Sequence, residues 1–138
     1  MKTKILSLII LCSVCSSCGV MFGGSKFSGS IIAKDHPDAQ IYVNGNNIGR
    51  GAAIGLYPRN QPLTVELRQE GCANKTETFN NTFRAGNFIL SLISWGLVGI
   101  LIDIGTGASY KPDHLHNPSV EQMSVKNFTF NVAYPDCN

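Results

Sequence analysis

The stretch Phe88-Ile89-Leu90-Ser91-Leu92-Ile93-Ser94-Trp95-Gly96-Leu97-Val98-Gly99-Ile100-Leu101-Ile102 carries no charge until Asp103, and any fold of this chain must find cover for it. As one continuous helix its fifteen residues reach ~22 Å, whereas the hydrocarbon layer of a bilayer is ~30 Å thick. The run therefore falls short of a clean transmembrane span. Three arrangements remain: a helical hairpin bent at Trp95-Gly96 and buried over one sheet face, partial insertion into a bilayer, or burial against copies of the same chain. Gly96 and Gly99 allow close backbone approach, and Trp95 and Tyr110 suit a boundary between apolar and wet surroundings. Phe88, Leu92, Trp95, Leu97 and Ile100 are the residues expected to make that membrane or partner contact. Asp103-Ile104-Gly105-Thr106-Gly107-Ala108 then reads as a helix ending in glycine turns.

The flanks of this run have a different period. Leu63-Thr64-Val65-Glu66-Leu67-Arg68-Gln69 alternates strictly, so Leu63, Val65 and Leu67 share one face of a half-buried antiparallel strand. Ser30-Ile31-Ile32-Ala33 is a brief apolar run, closed by the turn residues Asp35-His36-Pro37-Asp38. Gln40 to Asn44 carries β-branched and aromatic residues, and Asn44-Gly45 supplies the positive φ angles of a tight hairpin, with Asn46 to Arg50 returning. After a turn at Glu70-Gly71, Lys75 to Phe83 alternates again, placing Lys75, Glu77, Phe79, Asn81 and Phe83 on one face. Ser124 to Tyr134 reads as the last strand, with Val125, Phe128, Phe130 and Val132 apolar and a register break near Asn127 that suggests a bulge. The fold class expected is mainly β, a small antiparallel β-sandwich with one apolar helical segment or helical hairpin.

The start of the chain is tripartite: Lys2 and Lys4, an apolar run from Ile5 to Leu11, then small residues before a cysteine. Ser16-Ser17-Cys18-Gly19 resembles a bacterial lipobox, with Cys15 standing where Leu is common. Cys12 and Cys15 follow bulky Leu11 and Val14 and are poorer substrates for a lipoprotein signal peptidase. The organisation implied is a lipoprotein signal peptide over 1–17, a lipidated tether over 18–29 and a single β-rich domain over 30–138, with the apolar helical insert at about 87–104. Acylation of Cys18 makes membrane lipid the first partner, since acyl chains contribute ~0.8 kcal/mol per buried methylene. By resemblance to Gram-negative lipoproteins, Gly19 after the cysteine favours the outer membrane of the cell envelope.

An exported compartment permits disulfides, and Cys72 and Cys137 are the cysteines left in the mature domain to pair. After Cys18 the chain holds nine basic and nine acidic residues. The basic ones are scattered from Lys26 to Lys126, which removes the footprint that nucleic-acid binding requires.

Pro37-Asp38-Ala39-Gln40-Ile41-Tyr42-Val43-Asn44-Gly45, with Gly49 soon after, resembles the opening of a PEGA domain, a Pro-x-Gly-Ala turn leading into a strand that ends in Asp-Gly. Leu63 to Leu67 and Glu70-Gly71-Cys72 are similar to that family's next strand and its Glu-Gly-Tyr turn. The chain departs from the pattern at the residue before Ala39, at Asn44 and at Cys72. The likeness covers roughly Gly29 to Phe83 and implies a small non-catalytic β-sandwich of bacterial envelope proteins, with binding to surface layers or proteins.

No catalytic constellation stands out. His114-Leu115-His116 with Asp113, and His36 with Asp38, are read as polar loops rather than metal ligands. Gly105-Thr106-Gly107 lacks the lysine of a phosphate loop. Asp103 and Asp113 are read as solvated acids. No cofactor is expected. The function expected is a non-enzymatic lipid-anchored envelope protein, a structural or binding module for an envelope protein or polysaccharide. The alternative is a membrane-associated subunit that self-assembles as a homo-oligomer or inserts through 88–102.

Overall fold

The structure, a computed structural model, describes residues 24–134. Cys18, Cys137 and the expected signal peptide lie outside the described residues. Its elements are β1 (Lys26–Lys34), β2 (Gln40–Val43), β3 (Asn46–Arg50), β4 (Ala52–Pro58), β5 (Leu63–Arg68), β6 (Lys75–Phe79), β7 (Asn81–Phe83), α1 (Ala85–Thr106), β8 (Tyr110–Pro112), β9 (Val120–Gln122) and β10 (Asn127–Ala133). Eight strands hydrogen-bond in the order β6-β5-β2-β3-β4-β1-β10-β9, and β7 pairs with β8 in a separate two-stranded ladder. The fold is mainly β.

The eight strands form two four-stranded halves joined at a corner. Between β3 and β4 the only register pair is Arg50 with Ala52, and Gly51 sits between them at φ +68. Its amide donates to the Ala39 carbonyl and its carbonyl accepts from Ala33, both at 2.8 Å. A Cβ there would fall 2.4 Å from the Pro37 carbonyl oxygen. Glycine is thus required twice at this corner, for its conformation and for its lack of a side chain. The two halves face each other across one core. Ile41, Val65, Leu67 and Phe79 come from the first half, and Phe27, Ile31, Phe128, Phe130 and Val132 from the second. Edge-on packing of Phe79 against Phe130, with ring centroids 5.0 Å apart, ties the halves together. This arrangement is sandwich-like, as the alternating pattern implied, but not wholly antiparallel as expected, since β1 and β10 pair in parallel.

Several strands stand where the period-two reading put them. β5 buries Leu63, Val65 and Leu67 and turns Thr64 and Glu66 outward. Asn44 and Gly45 adopt φ 48 and 87, the hairpin geometry expected of Asn-Gly. Other readings are corrected. β1 already runs from Lys26, so residues 26–29 are strand rather than tether, and Phe27 is a core side chain. β4 was not legible because its inward residues are Ala53, Gly55 and Tyr57 while Ile54 and Leu56 point outward. The strand expected over Lys75 to Phe83 breaks at Asn80, and Phe83 leaves for the small ladder, where it is exposed. The break near Asn127 is a turn between β9 and β10 closed by Asn127 N–H to Ser124 O, so Val125 lies outside β10. The bulge is in the β2–β3 pair, between Ile41 and Tyr42.

One end of the sandwich gathers the connections to α1. Ser25, at the entry to β1, accepts a hydrogen bond from Arg59 N–H at 2.9 Å. β6 reaches the same end, because Phe79 pairs with Leu63, and from there the chain passes through β7 into α1. The opposite end carries the 35–39 turn, Gly51 and the Glu70-Gly71 turn, since Gln40 pairs with both Arg50 and Arg68.

Candidate functional site

α1 is two helical arms, 85–95 and 97–106, joined at Gly96, whose φ 59 and ψ −146 are not helical. Twelve residues of continuous helix would separate Ser91 from Asp103 by ~18 Å. Instead the Ser91 hydroxyl donates directly to the Asp103 carboxylate, and both residues are fully buried. The arms therefore fold back on one another, and the pair between them satisfies two buried polar side chains of a mostly apolar hairpin. Gly99 is also buried, four residues before Asp103 and so on the same side of the second arm. Gly107, in the left-handed conformation, closes the second arm with its N–H on the Ile104 carbonyl.

The hairpin bends where the sequence placed the bend, but it does not cover a sheet face. Ile93 and Leu97, flanking the tip, are 77% and 75% exposed, and Leu101 is 72% exposed. Of the fifteen exposed large apolar side chains among the described residues, eight lie between Ile89 and Ile104. The extensive strand-to-strand contacts of the sandwich have no helix-to-strand counterpart. The core is already complete, filled by inward residues of both halves, and the outward apolar residues of β4, Ile54 and Leu56, stay exposed rather than meeting the hairpin. A folded monomer in water rarely leaves an apolar surface this continuous unless it meets a partner or a membrane. No helix among the described residues is long and apolar enough to cross a membrane.

A collar holds the hairpin to the sandwich. β7 and β8 pair Thr82 with Lys111 and Phe83 with Tyr110, and the ladder continues as Arg84 N–H donates to Ser109 O at 2.8 Å. Alternation along the ladder puts Thr82, Arg84 and Lys111 on one face and Phe83 and Tyr110 on the other. The Phe83 ring packs on Phe88 at 5.3 Å and on Tyr110 at 6.0 Å. Gly107 seats against Asn60, where a Cβ would approach the Asn60 nitrogen to 2.9 Å. The Asn81 amide donates to the carbonyls of Arg59 and Gln61 at 2.7 and 2.6 Å and so fixes the β4–β5 turn.

The electrostatics of the collar are positive. Arg59 is fully buried, donating to the Tyr110 and Val125 carbonyls at 3.3 and 2.9 Å and facing the rings of Phe27 and Phe128, while its Nε has no partner. Burial and the nearby Arg84 guanidinium pull its pKa down to about 10. Burial also lowers Arg84, and burial together with Arg84 lowers Lys111, against the opposing pull of Asp113. Among the described residues no carboxylate pairs with Arg59 or Arg84. Thr82, Phe83, Arg84, Ala85, Gly86, Lys111 and Leu115 line an open cleft of about 390 Å³. It lies against the first turn of α1, which has no side-chain cap and no acidic residue.

Of the contact residues expected from sequence, Leu92 and Leu97 are exposed, Phe88 and Ile100 are half-buried, and Trp95 stands immediately before the bend. Cys72 packs against the core and is disulfide-bonded, while its expected partner Cys137 lies outside the described residues. The histidines go separate ways. His116 Nδ1 meets Asp113 at 3.0 Å, His114 lies beside the Phe128 ring, and His36 bonds Gln69 and packs on Tyr134. No group of three potential metal ligands exists among the described residues. Asp103 is not a solvated acid as expected but a buried one. Arg59, Arg84 and Lys111 were missed, as was the Ser91–Asp103 pair. A signal was present, since Ser91 and Asp103 stand six residues on either side of Leu97, and Arg84 and Lys111 bracket the same centre.

At the opposite end of the sandwich, Asp38, Gln40, Arg50, Arg68, Gln69 and Glu70 line a second open cleft of about 490 Å³ with charges of both signs. Compared with protein-family models, with curated proteins and with solved structures, the chain finds no match.

Proposed function

We propose that this chain is a non-enzymatic envelope protein, lipid-anchored through Cys18, which makes a second attachment to the membrane by seating its apolar hairpin in the bilayer. The observation that carries this reading is the exposure of eight large apolar side chains on two arms whose buried polar groups, Ser91 and Asp103, are already paired. Fully burying one such side chain is worth ~1.5–3 kcal/mol, so covering eight that are roughly 60% exposed is worth on the order of 10 kcal/mol. Such a term is large beside the stability of a small domain.

The position of the hairpin supports the same reading. Ser25 and the collar lie at one end of the sandwich, linked through Arg59. The seven residues from Gly19 to Ser25 span at most ~24 Å, so an acyl chain on Cys18 and the hairpin tip are able to enter one membrane. Gly19 after the cysteine favours the outer membrane by its resemblance to Gram-negative lipoproteins. The Tyr134 hydroxyl donates to the Ala73 carbonyl at 2.9 Å, which holds residue 134 beside the Cys72 loop three positions before Cys137. This supports Cys137 as the partner of Cys72, in keeping with an oxidising compartment. The sandwich, with its PEGA-like turns, then serves as a structural or binding module for another envelope component.

Replacement of Cys18 tests both attachments. Cys18→Ala is expected to abolish labelling with fatty-acid probes and still to leave the chain in the membrane fraction. Persistent labelling would overturn acylation at Cys18, and release as a detergent-free monomer would overturn the role given to the hairpin.

A further inference from the structure

We propose that the hairpin enters a single leaflet, and that Arg84 and Lys111 at its collar hold the phosphate of an anionic phospholipid in that leaflet. This rests on the membrane reading above and adds to it a depth and a lipid class.

Depth follows from the length of the arms. Arms 85–95 and 97–106 hold eleven and ten residues, or ~16 and ~15 Å of helix, against ~15 Å for half of a ~30 Å hydrocarbon layer. With the tip at the midplane, Asp103 stands about 10 Å above it and well inside the hydrocarbon. Its carboxylate is tolerable there because it lies in the seam and accepts from Ser91, rather than facing lipid. The collar then falls at headgroup level. Phe83 and Tyr110 supply the aromatic face that this zone favours, and the opposite face of the same ladder carries Arg84 and Lys111.

Lipid class follows from charge. Two cations share one open cleft, Arg84 has no carboxylate partner, and Asp113, the acid near Lys111, is engaged by His116. The uncapped first turn of α1 borders the same cleft with its amide groups. A phosphate bearing net negative charge relieves the repulsion between Arg84 and Lys111. A second copy of this chain would bring an identical positive collar to the contact.

Trp95 is the sole tryptophan, one residue from the tip, so its emission reports depth. The full chain reconstituted in vesicles is expected to show strong quenching by lipids brominated near the acyl terminus and weak quenching by lipids brominated near the headgroup. The reverse order overturns single-leaflet depth. In a second arm, the Cys18→Ser chain is floated with vesicles of phosphatidylcholine alone or with one third phosphatidylglycerol. Two cations near an anionic surface predict roughly 10- to 30-fold tighter binding to the second. Arg84→Gln with Lys111→Gln should remove that preference, so that the variant binds both vesicles equally. Equal binding of the parent chain to both vesicles overturns the phosphate site while leaving insertion intact. Binding to neither overturns the membrane reading itself, as does a stable dimer whose Trp95 no brominated lipid quenches. Displacement from anionic vesicles by millimolar inorganic phosphate at matched ionic strength would overturn the assignment to a lipid.

Discussion

Leu97 is three-quarters exposed and sits next to the Gly96 bend, so its replacement separates membrane affinity from folding. In water, Leu97→Asp removes no buried contact, and the melting temperature should change by no more than a surface substitution allows, about 0.5 kcal/mol or less. At the bilayer midplane the same change replaces a residue worth about −0.5 kcal/mol by one costing about +3. The difference, about 3.5 kcal/mol, corresponds to roughly 300-fold weaker partitioning, because 1.4 kcal/mol is tenfold. Equilibrium flotation of the Cys18→Ser chain against Cys18→Ser with Leu97→Asp measures this ratio, and circular dichroism of the same samples measures stability. Partitioning that agrees within twofold would show that the tip never reaches hydrocarbon. A loss of several kcal/mol in solution would show that Leu97 is covered within the fold. Either result refutes the reasoning.

Four further expectations follow from the sandwich and its corners. Cys72→Ser should lower stability under oxidising conditions by about 4 kcal/mol, the chain-entropy value for a closed loop of about 65 residues, and have little effect in reductant; paired thermal melts and non-reducing peptide mapping check it. Asn81→Ala loses two hydrogen bonds to the carbonyls of the β4–β5 turn and should cost about 2 kcal/mol, read from denaturant midpoints at constant slope. Gly51→Ala brings a Cβ within 2.4 Å of the Pro37 carbonyl and should cost well over 2 kcal/mol. Gly45→Ala, at positive φ but in open space, should cost only about 1 kcal/mol by the same melts.

How much of this was legible in the sequence depended on whether a residue's neighbours lay close in the chain. β5 was legible because Leu63, Val65 and Leu67 alternate with polar residues, and the β2–β3 turn because Asn44-Gly45 selects its own backbone geometry. The bend at Gly96 was legible from an apolar run too short to span a bilayer and interrupted by glycine. β4 was not, since its inward positions before Tyr57 are the small residues Ala53 and Gly55, the second of which lies under the Tyr57 ring. Nor was the exposure of the hairpin, which depends on two sheet halves filling the core between them. The collar cations were hidden for a similar reason. Arg59, Arg84 and Lys111 are 25 or more positions apart in sequence and meet only because Asn81 and Gly107 fix the base of the hairpin to the β4–β5 turn.

The parallel pairing of β1 with β10 gives the molecule two unlike poles. Chain entry and hairpin leave from one, and the Gln40, Arg50 and Arg68 cleft opens at the other. Under the attachment proposed above, two moorings at a single pole would suppress tumbling about the membrane normal's perpendicular axes, and a tether of seven residues would make hairpin insertion intramolecular at millimolar effective concentration. The distal cleft would then be aimed into the aqueous space at a fixed height, and a ligand approaching the bilayer would meet its mixed charges before it met any lipid.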